Sequence, residues 1–185
     1  MSEKPEMRKP MPAFVRSLLW LLLAALVIAL DWQTKQWATE NLILYRPSHI
    51  SSWLNLRLAH NYGAAFSMLA DAGGWQRWFF TILASAVTLV LLVWLFRLKQ
   101  GEWRIGLSLS LIIAGAVGNL IDRVQLGFVI DFIDVFYKDH HWPAFNVADS
   151  AITGGIILML LDALILSFRK TGEDGVDSPE EESSE

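Results

Sequence analysis

The chain of 185 residues contains no cysteine. Disulfides, thiolate nucleophiles, cysteine-based metal sites and lipid attachment through cysteine are therefore excluded. Charge is also scarce, at 18% of residues against 54% hydrophobic, and mean hydropathy is +0.37. That is too apolar for a typical soluble domain of this size and points to a membrane protein. Several enzyme signatures are missing. There is no His-Glu-x-x-His, and His49, His60, His140 and His141 lack the helical spacing of a zinc protease. There is no Gly-x-Ser-x-Gly elbow and no glycine-rich phosphate loop. No cofactor, metal or nucleic-acid partner is expected.

The formal net charge of -4 is a property of the tail. Thr171–Glu185 carries seven acids and no Lys or Arg, so the rest of the chain stands at +3. A mildly basic body suits loops that meet anionic lipid. The tail has Ser and Pro but no aromatics, and is expected to be disordered.

Long apolar runs dominate the remainder. Leu18–Leu30 is an unbroken run of 13 residues behind a basic, proline-containing leader (Lys4, Arg8, Lys9, Arg16). A signal peptide would end in a small-residue cleavage site, but Asp31-Trp32-Gln33-Thr34-Lys35 follows. A retained membrane helix is the better reading. Trp78–Phe96 is uncharged over 19 residues, with Arg77 and Arg97 at its ends and Trp75, Trp78 and Trp94 near them. Ile105–Ile121 is rich in Gly, Ser and Ala, which let helices approach closely in lipid. Ala144–Phe168 completes the set. The expected spans are about 14–31, 77–97, 105–121 and 147–168, within one domain of residues 1–170.

Between the first two spans, Trp53–His60 alternates with period two, Leu54, Leu56 and Leu58 facing one way and Asn55 and Arg57 the other. This predicts a half-buried strand, followed by a turn at Asn61-Tyr62-Gly63. The fold class is a mainly α membrane protein. It has four transmembrane helices, a small extracytoplasmic β element at about 42–70, and an outer loop carrying a short helix.

Lys and Arg number nine on the side of the termini and six on the other. The positive-inside rule then puts both termini in the cytoplasm. Spans one and three end outside, and spans two and four begin there. Asp31, Asn119, Asp122, Arg123, Asp131, Asn146 and Asp149 thus converge on the outer membrane surface from distant parts of the chain. Carboxylates at such a level are costly unless they serve a purpose. Two held close share a proton, and such a pair can activate water against a peptide carbonyl. Asp131 and Asp149 are read as that pair, with Asp134 open as an alternative partner of Asp131. Asn146 is a candidate N-cap of span four. The helix N-terminus favours charge on Asp149 and leaves Asp131 the protonated member. Asp31 and Lys35, four apart, are either a surface pair or a buried acid and base. Asp122-Arg123 reads as an ion pair closing span three, and Asp162 as an acid near the inner interface. A proton-conducting transporter is the main rival, but transporters place polar groups near the midplane and repeat their halves. A non-catalytic scaffold would not need this carboxylate set.

Five motifs now stand in order: Asp31-x-x-x-Lys35; Asn61-Tyr62-Gly63-Ala64-Ala65-Phe66; Gly115-x-x-Gly118-Asn119-x-x-Asp122-Arg123; Val129-Ile130-Asp131-Phe132; and Phe145-Asn146-x-Ala148-Asp149. In these the chain resembles lipoprotein signal peptidase (signal peptidase II), a family of bacterial inner-membrane aspartic proteases. The resemblance implies an Asp131–Asp149 catalytic dyad, and makes bystanders of Asp134 and Asp139. It implies that Asp31, Lys35, Asn61, Gly63, Gly115, Asn119, Asp122, Arg123, Val129 and Asn146 support or line the site. The implied substrates are diacylglyceryl prolipoproteins, cut just before the lipidated Cys, with membrane lipid and globomycin-type inhibitors as further partners. Ala114 departs from the pattern, standing where the family often has a second Gly.

Overall fold

A computed structural model describes residues 11–63 and 74–174. Four helices run through it: α1 (Ala13–Asn41), α2 (Trp75–Phe96), α3 (Trp103–Gln125) and α4 (Val147–Asp174). All four are long and apolar enough to cross a membrane. Leu22, Ile82, Leu89 and Leu160 are more than half exposed, as side chains facing lipid should be.

The central helix is α3. It buries 56% of its most apolar window, whereas each of the others buries 11%. It packs against α1, α2 and α4. Its small residues make this possible. A Cβ on Gly106 would strike the Trp20 ring of α1, and one on Gly155 of α4 would come within 2.7 Å of the Ser108 carbonyl of α3. Ala114 is fully buried in the same helix. Leu95, Leu98, Leu109 and Ile113 form the core between α2 and α3.

The polar ends carry one antiparallel sheet in the order β1-β2-β3-β4: β1 (Ser48–Ser51), β2 (Leu54–Asn61), β3 (Val129–Tyr137) and β4 (His140–His141). Ala38 at the far end of α1 packs with Leu58, Ile130 and Phe132, fixing the sheet to the bundle.

The elements differ from the sequence reading in instructive ways. The helix α1 continues ten residues beyond Asp31, the expected end of the first span, to Asn41. Its 29 residues make it about 43 Å long at 1.5 Å per residue. That exceeds a hydrocarbon core of about 30 Å, so the turns bearing Lys35 and Ala38 reach the sheet. The strict alternation of β2 also fails. Leu56 pairs with Ile133 but Ala59 with Asp131, so Arg57 and Leu58 together oppose Phe132 in a bulge. Asn55 is buried rather than outward-facing, because Asp134 stands directly across from it. The stretch after span three forms β3 and β4. No short outer helix occurs among the described elements, and 64–73, including Ala64-Ala65-Phe66 of the second motif, lies outside the described residues. The helix α4 continues through Asp174, into the segment expected as tail, and 175–185 lies outside the described residues.

Candidate active site

The first turn of α4 is built by a reciprocal cap. Asn146 Oδ1 accepts from the Asp149 backbone N–H at 2.8 Å, and Asp149 Oδ2 accepts from the Asn146 N–H at 3.2 Å. The sequence Asn-x-x-Asp thus forms a capping box, which holds the Asp149 carboxylate at the helix N-terminus. Its second oxygen, Oδ1, accepts from Asn119 Nδ2 of α3 at 2.7 Å.

Asp131, on β3, is 2% exposed. Its Oδ1 accepts from Asn146 Nδ2 at 2.9 Å and its Oδ2 from Asn61 Nδ2 at 3.0 Å. Asn61 is itself oriented by the Gly63 N–H, 3.1 Å from its Oδ1. Val129, paired in register with Asn61, is buried beside it. All four oxygens of the two carboxylates therefore receive a donor from a fixed amide. Burial above all, and then the charge of Asp149, push Asp131 up to about 7; the donors on Asn61 and Asn146 and the charge of Lys35 hold it down.

Behind these two lies a buried ionic triad. Lys35 Nζ is 2.8 Å from Asp31 Oδ2 and 2.8 Å from Asp122 Oδ2, and donates to Asn119 Oδ1 at 3.1 Å. Lys35 is 1% exposed and Asp31 2%, so of the two readings of that spacing the buried acid and base holds. The triad reaches the backbone next to each carboxylate. Asp31 Oδ1 accepts from Ala148 N–H at 2.8 Å, one residue before Asp149, and Asp122 Oδ2 from Ile130 N–H at 3.1 Å, one residue before Asp131. Two glycines of α3 admit this arrangement. A Cβ on Gly115 would strike the Ala148 carbonyl oxygen, and one on Gly118 would lie 2.7 Å from Asp31 Oδ2.

The Asp122–Arg123 ion pair read from sequence is corrected here: the partner of Asp122 is Lys35, on another helix. Arg123 instead directs its guanidinium to the carbonyls of Asn119 at 3.4 Å and Gly63 at 3.3 Å, with its Cζ 5.5 Å from the Phe80 ring. Consecutive helical residues point about 100° apart, so they rarely pair with each other. Asp162 lies far from this site and pairs with Arg104 at 3.1 Å, bridging α3 and α4.

The carboxylates open into a cavity of about 1040 Å³. Asn61, Gly63, Arg123, Asp131 and Asp149 line it, with Ala59 and His60 of β2, the segment His141–Phe145, and Ile152 and Thr153 of α4. His60 stacks on Phe128 at 3.9 Å, and burial lowers its proton affinity, which keeps the ring neutral near pH 7. Among the described residues no three His, Asp or Glu side chains converge as metal ligands.

One polar cluster beside this cavity was not legible in the sequence, which offered Asp134 only as an alternative partner of Asp131 or a bystander. Asp134 is wholly buried and accepts from His141 Nδ1 at 2.8 Å and Asn55 Nδ2 at 3.3 Å, with Arg57 Nε 3.9 Å away. Arg57 and His141 line the cavity. The available signal was an acid within a strand too apolar to bury one unpaired, followed by two histidines across a turn.

Comparison with known proteins places these features in context. Residues 23–165 match the family model described as signal peptidase (SPase) II. The chain is 51% identical over 148 residues to a lipoprotein signal peptidase of Teredinibacter turnerae, covering 80% of this chain and 88% of the relative. It is 50% identical over 157 residues to one of Acinetobacter baumannii, covering 85% and 89%. Two solved structures, both described as bacterial membrane enzymes, superpose with TM-scores of 0.71 and 0.70. Their identities are 30% and 31%, and they cover 90% and 86% of this chain and 94% and 98% of their own.

Proposed function

Because this chain belongs to the signal peptidase II family, we propose that it is an aspartic endopeptidase that removes signal peptides from diacylglyceryl-modified prolipoproteins, cutting just before the lipidated Cys. The observation that carries this reading is the pair Asp131 and Asp149. They line one cavity, with every oxygen held by a fixed donor and one of the two poised to hold a proton near neutral pH.

The chemistry follows from that asymmetry. Asp149, at the positive end of α4, is the ionised member and draws a proton from water as the oxygen attacks the peptide carbonyl carbon. Protonated Asp131 hydrogen-bonds to the carbonyl oxygen and stabilises the charge that develops there. The tetrahedral intermediate collapses when a proton passes to the nitrogen, the C–N bond breaks, and the two carboxylates again share one proton. The pair titrates as a unit.

The neighbours keep the geometry. Asn61 and Asn146 orient Asp131, and Asn119 and the capping box orient Asp149. Asp31, Lys35 and Asp122 anchor the preceding peptide units. Gly115 lets α4 approach α3, Gly63 and Arg123 tie the turn after β2 to α3, and Val129 seats the start of β3. Globomycin-type inhibitors occupy the same cavity in this reading. The excess of Lys and Arg on the side of the termini supports cytoplasmic termini and a periplasmic site in the bacterial inner membrane. A lipid-bearing substrate then enters sideways from the bilayer.

The test is product identity. Purified protein in detergent or nanodiscs should convert a diacylglyceryl prolipoprotein into a product whose mass begins at the modified Cys. Cleavage elsewhere, or of the unmodified precursor at an equal rate, would remove the assignment.

A further inference from the structure

We propose that His141, hydrogen-bonded to the buried Asp134, and Arg57, whose Nε lies 3.9 Å from it, form a subsite that binds the main chain of the substrate about three residues C-terminal to the cleaved bond. The proposal rests on the peptidase reading above and extends it to residues outside the Asp131–Asp149 pair.

Asp134 is wholly buried, yet its partners stand at the cavity wall: 45% of the His141 side chain and 33% of Arg57 is exposed. The Asp134 carboxylate, 2.8 Å from Nδ1, accepts that nitrogen's N–H and fixes the ring, so Nε2 is the nitrogen left for a ligand. The ring is further fixed by stacking on Phe136, 5.2 Å away at an interplanar angle of 21°. Nε2 of His141 has no hydrogen-bond partner among the described residues. A carboxylate serving stability alone would be covered by groups turned inward. This one holds an imidazole and has a guanidinium beside it at the wall of an open cavity.

Those two groups match what an extended peptide offers, since each residue brings one N–H and one C=O. The Arg57 guanidinium can donate to the C=O, and His141 Nε2 can accept the N–H when the ring is neutral. Position follows from the sheet. Asp134 lies three residues along β3 from Asp131, about 10 Å at the rise of a strand; the odd spacing turns its carboxylate to the opposite face, and it is Arg57 and His141 that line the cavity. The direction follows from the membrane, because Ile152 and Thr153, which also line the cavity, belong to the membrane-crossing helix α4. The apolar signal segment stays on that side, and the polar end receives the chain beyond the lipidated Cys. Recognition through the main chain tolerates any side chain there.

The experiment measures binding of two product peptides to the full-length protein in nanodiscs by fluorescence anisotropy. Both begin with S-diacylglyceryl-Cys; one carries a single further residue and the other five. The wild type should bind the longer peptide about tenfold more tightly, the effect of one or two hydrogen bonds. His141→Ala and Arg57→Ala should erase that gain, Asp134→Ala should do the same by releasing the ring, and His141→Gln should retain part of it. Equal loss for both peptide lengths, or no loss for either, overturns the subsite. Cleavage of a diacylated precursor by the wild type is followed in parallel. Its absence sinks the peptidase reading, while the length dependence of binding still decides the subsite.

Discussion

Asn146 and Asp149 cap each other: the Asn146 amide oxygen accepts from the Asp149 N–H at 2.8 Å, and the Asp149 carboxylate accepts from the Asn146 N–H at 3.2 Å. The residue that starts α4 thereby orients one carboxylate through the cap and the other through its Nδ2, 2.9 Å from Asp131 Oδ1. The two tasks are separable. Asn146→Ala should cost about 1–2 kcal/mol from the cap and lower kcat about 100-fold. Asn146→Ser restores a capping oxygen without the donor to Asp131. It should recover about 1 kcal/mol in melting experiments while remaining slow. Recovery of both together would mean that Asn146 acts only as a cap.

Asp131 links protonation to stability. Its folded-state value of about 7 lies above the ordinary 3.8, so the folded protein binds that proton more tightly than the unfolded chain. The contribution is full below about pH 4, falls as pH rises toward about 7, and is absent above it. Asp131→Asn cannot ionise. Its melting temperature should pull ahead of the wild type between about pH 4 and about pH 7, by up to about 4 kcal/mol in equivalent free energy, and the gap should then stay constant. The wild-type rate should decline on the alkaline side of about pH 7 as the donor loses its proton. A constant gap between the two melting curves from about pH 4 to about pH 7 would contradict the raised value.

Lys35 neutralises two buried carboxylates at 2.8 Å each. Lys35→Met leaves Asp31 and Asp122 uncompensated and should cost about 3–5 kcal/mol. The triple change Lys35→Met, Asp31→Asn, Asp122→Asn removes the stranded charges and should recover more than half of that loss, measured by thermal unfolding in detergent. A triple variant as unstable as Lys35→Met would show that packing, not charge, is what Lys35 provides.

Gly115 lets the backbones of α3 and α4 meet behind the site. Gly115→Ala drives a methyl against the Ala148 carbonyl, with Ile152 Cγ1 2.7 Å away. A loss of about 1–3 kcal/mol is expected, with activity at least about tenfold lower because α4 must move. Gly154→Ala is the control: nothing lies within 4 Å, and a helical Gly→Ala exchange should stabilise by about 0.5–1 kcal/mol. Similar thermal shifts in the two variants would refute the close approach.

Much of this was legible in the chain because its signals are local. Uncharged runs such as Trp78–Phe96 announce spans, and the asparagine three residues before Asp149 announces a cap. Asp31 and Lys35 lie one helical turn apart and do pair. What stayed hidden depends on contacts between distant segments. The adjacency of Asp122 and Arg123 suggested a pair, but the partner of Asp122 is Lys35 on α1. The alternation of Trp53–His60 was right about the strand, but a bulge at Arg57–Leu58 cannot be read from alternating residues. Val129–Tyr137 carries two acids in an apolar run and reads as part of an outer loop with a short helix. Only its pairing with β2 makes it a strand, and only the burial of Asp134 against Asn55, Arg57 and His141 explains the second acid.

The central claim, that Asp131 and Asp149 together perform the cleavage, is tested most directly by release of signal peptide from a diacylated prolipoprotein. Wild type, Asp131→Asn and Asp149→Asn should be compared at matched folded concentration. Release by the wild type with a loss of about 1,000-fold or more in each variant is expected. Full activity in either variant would contradict the dyad.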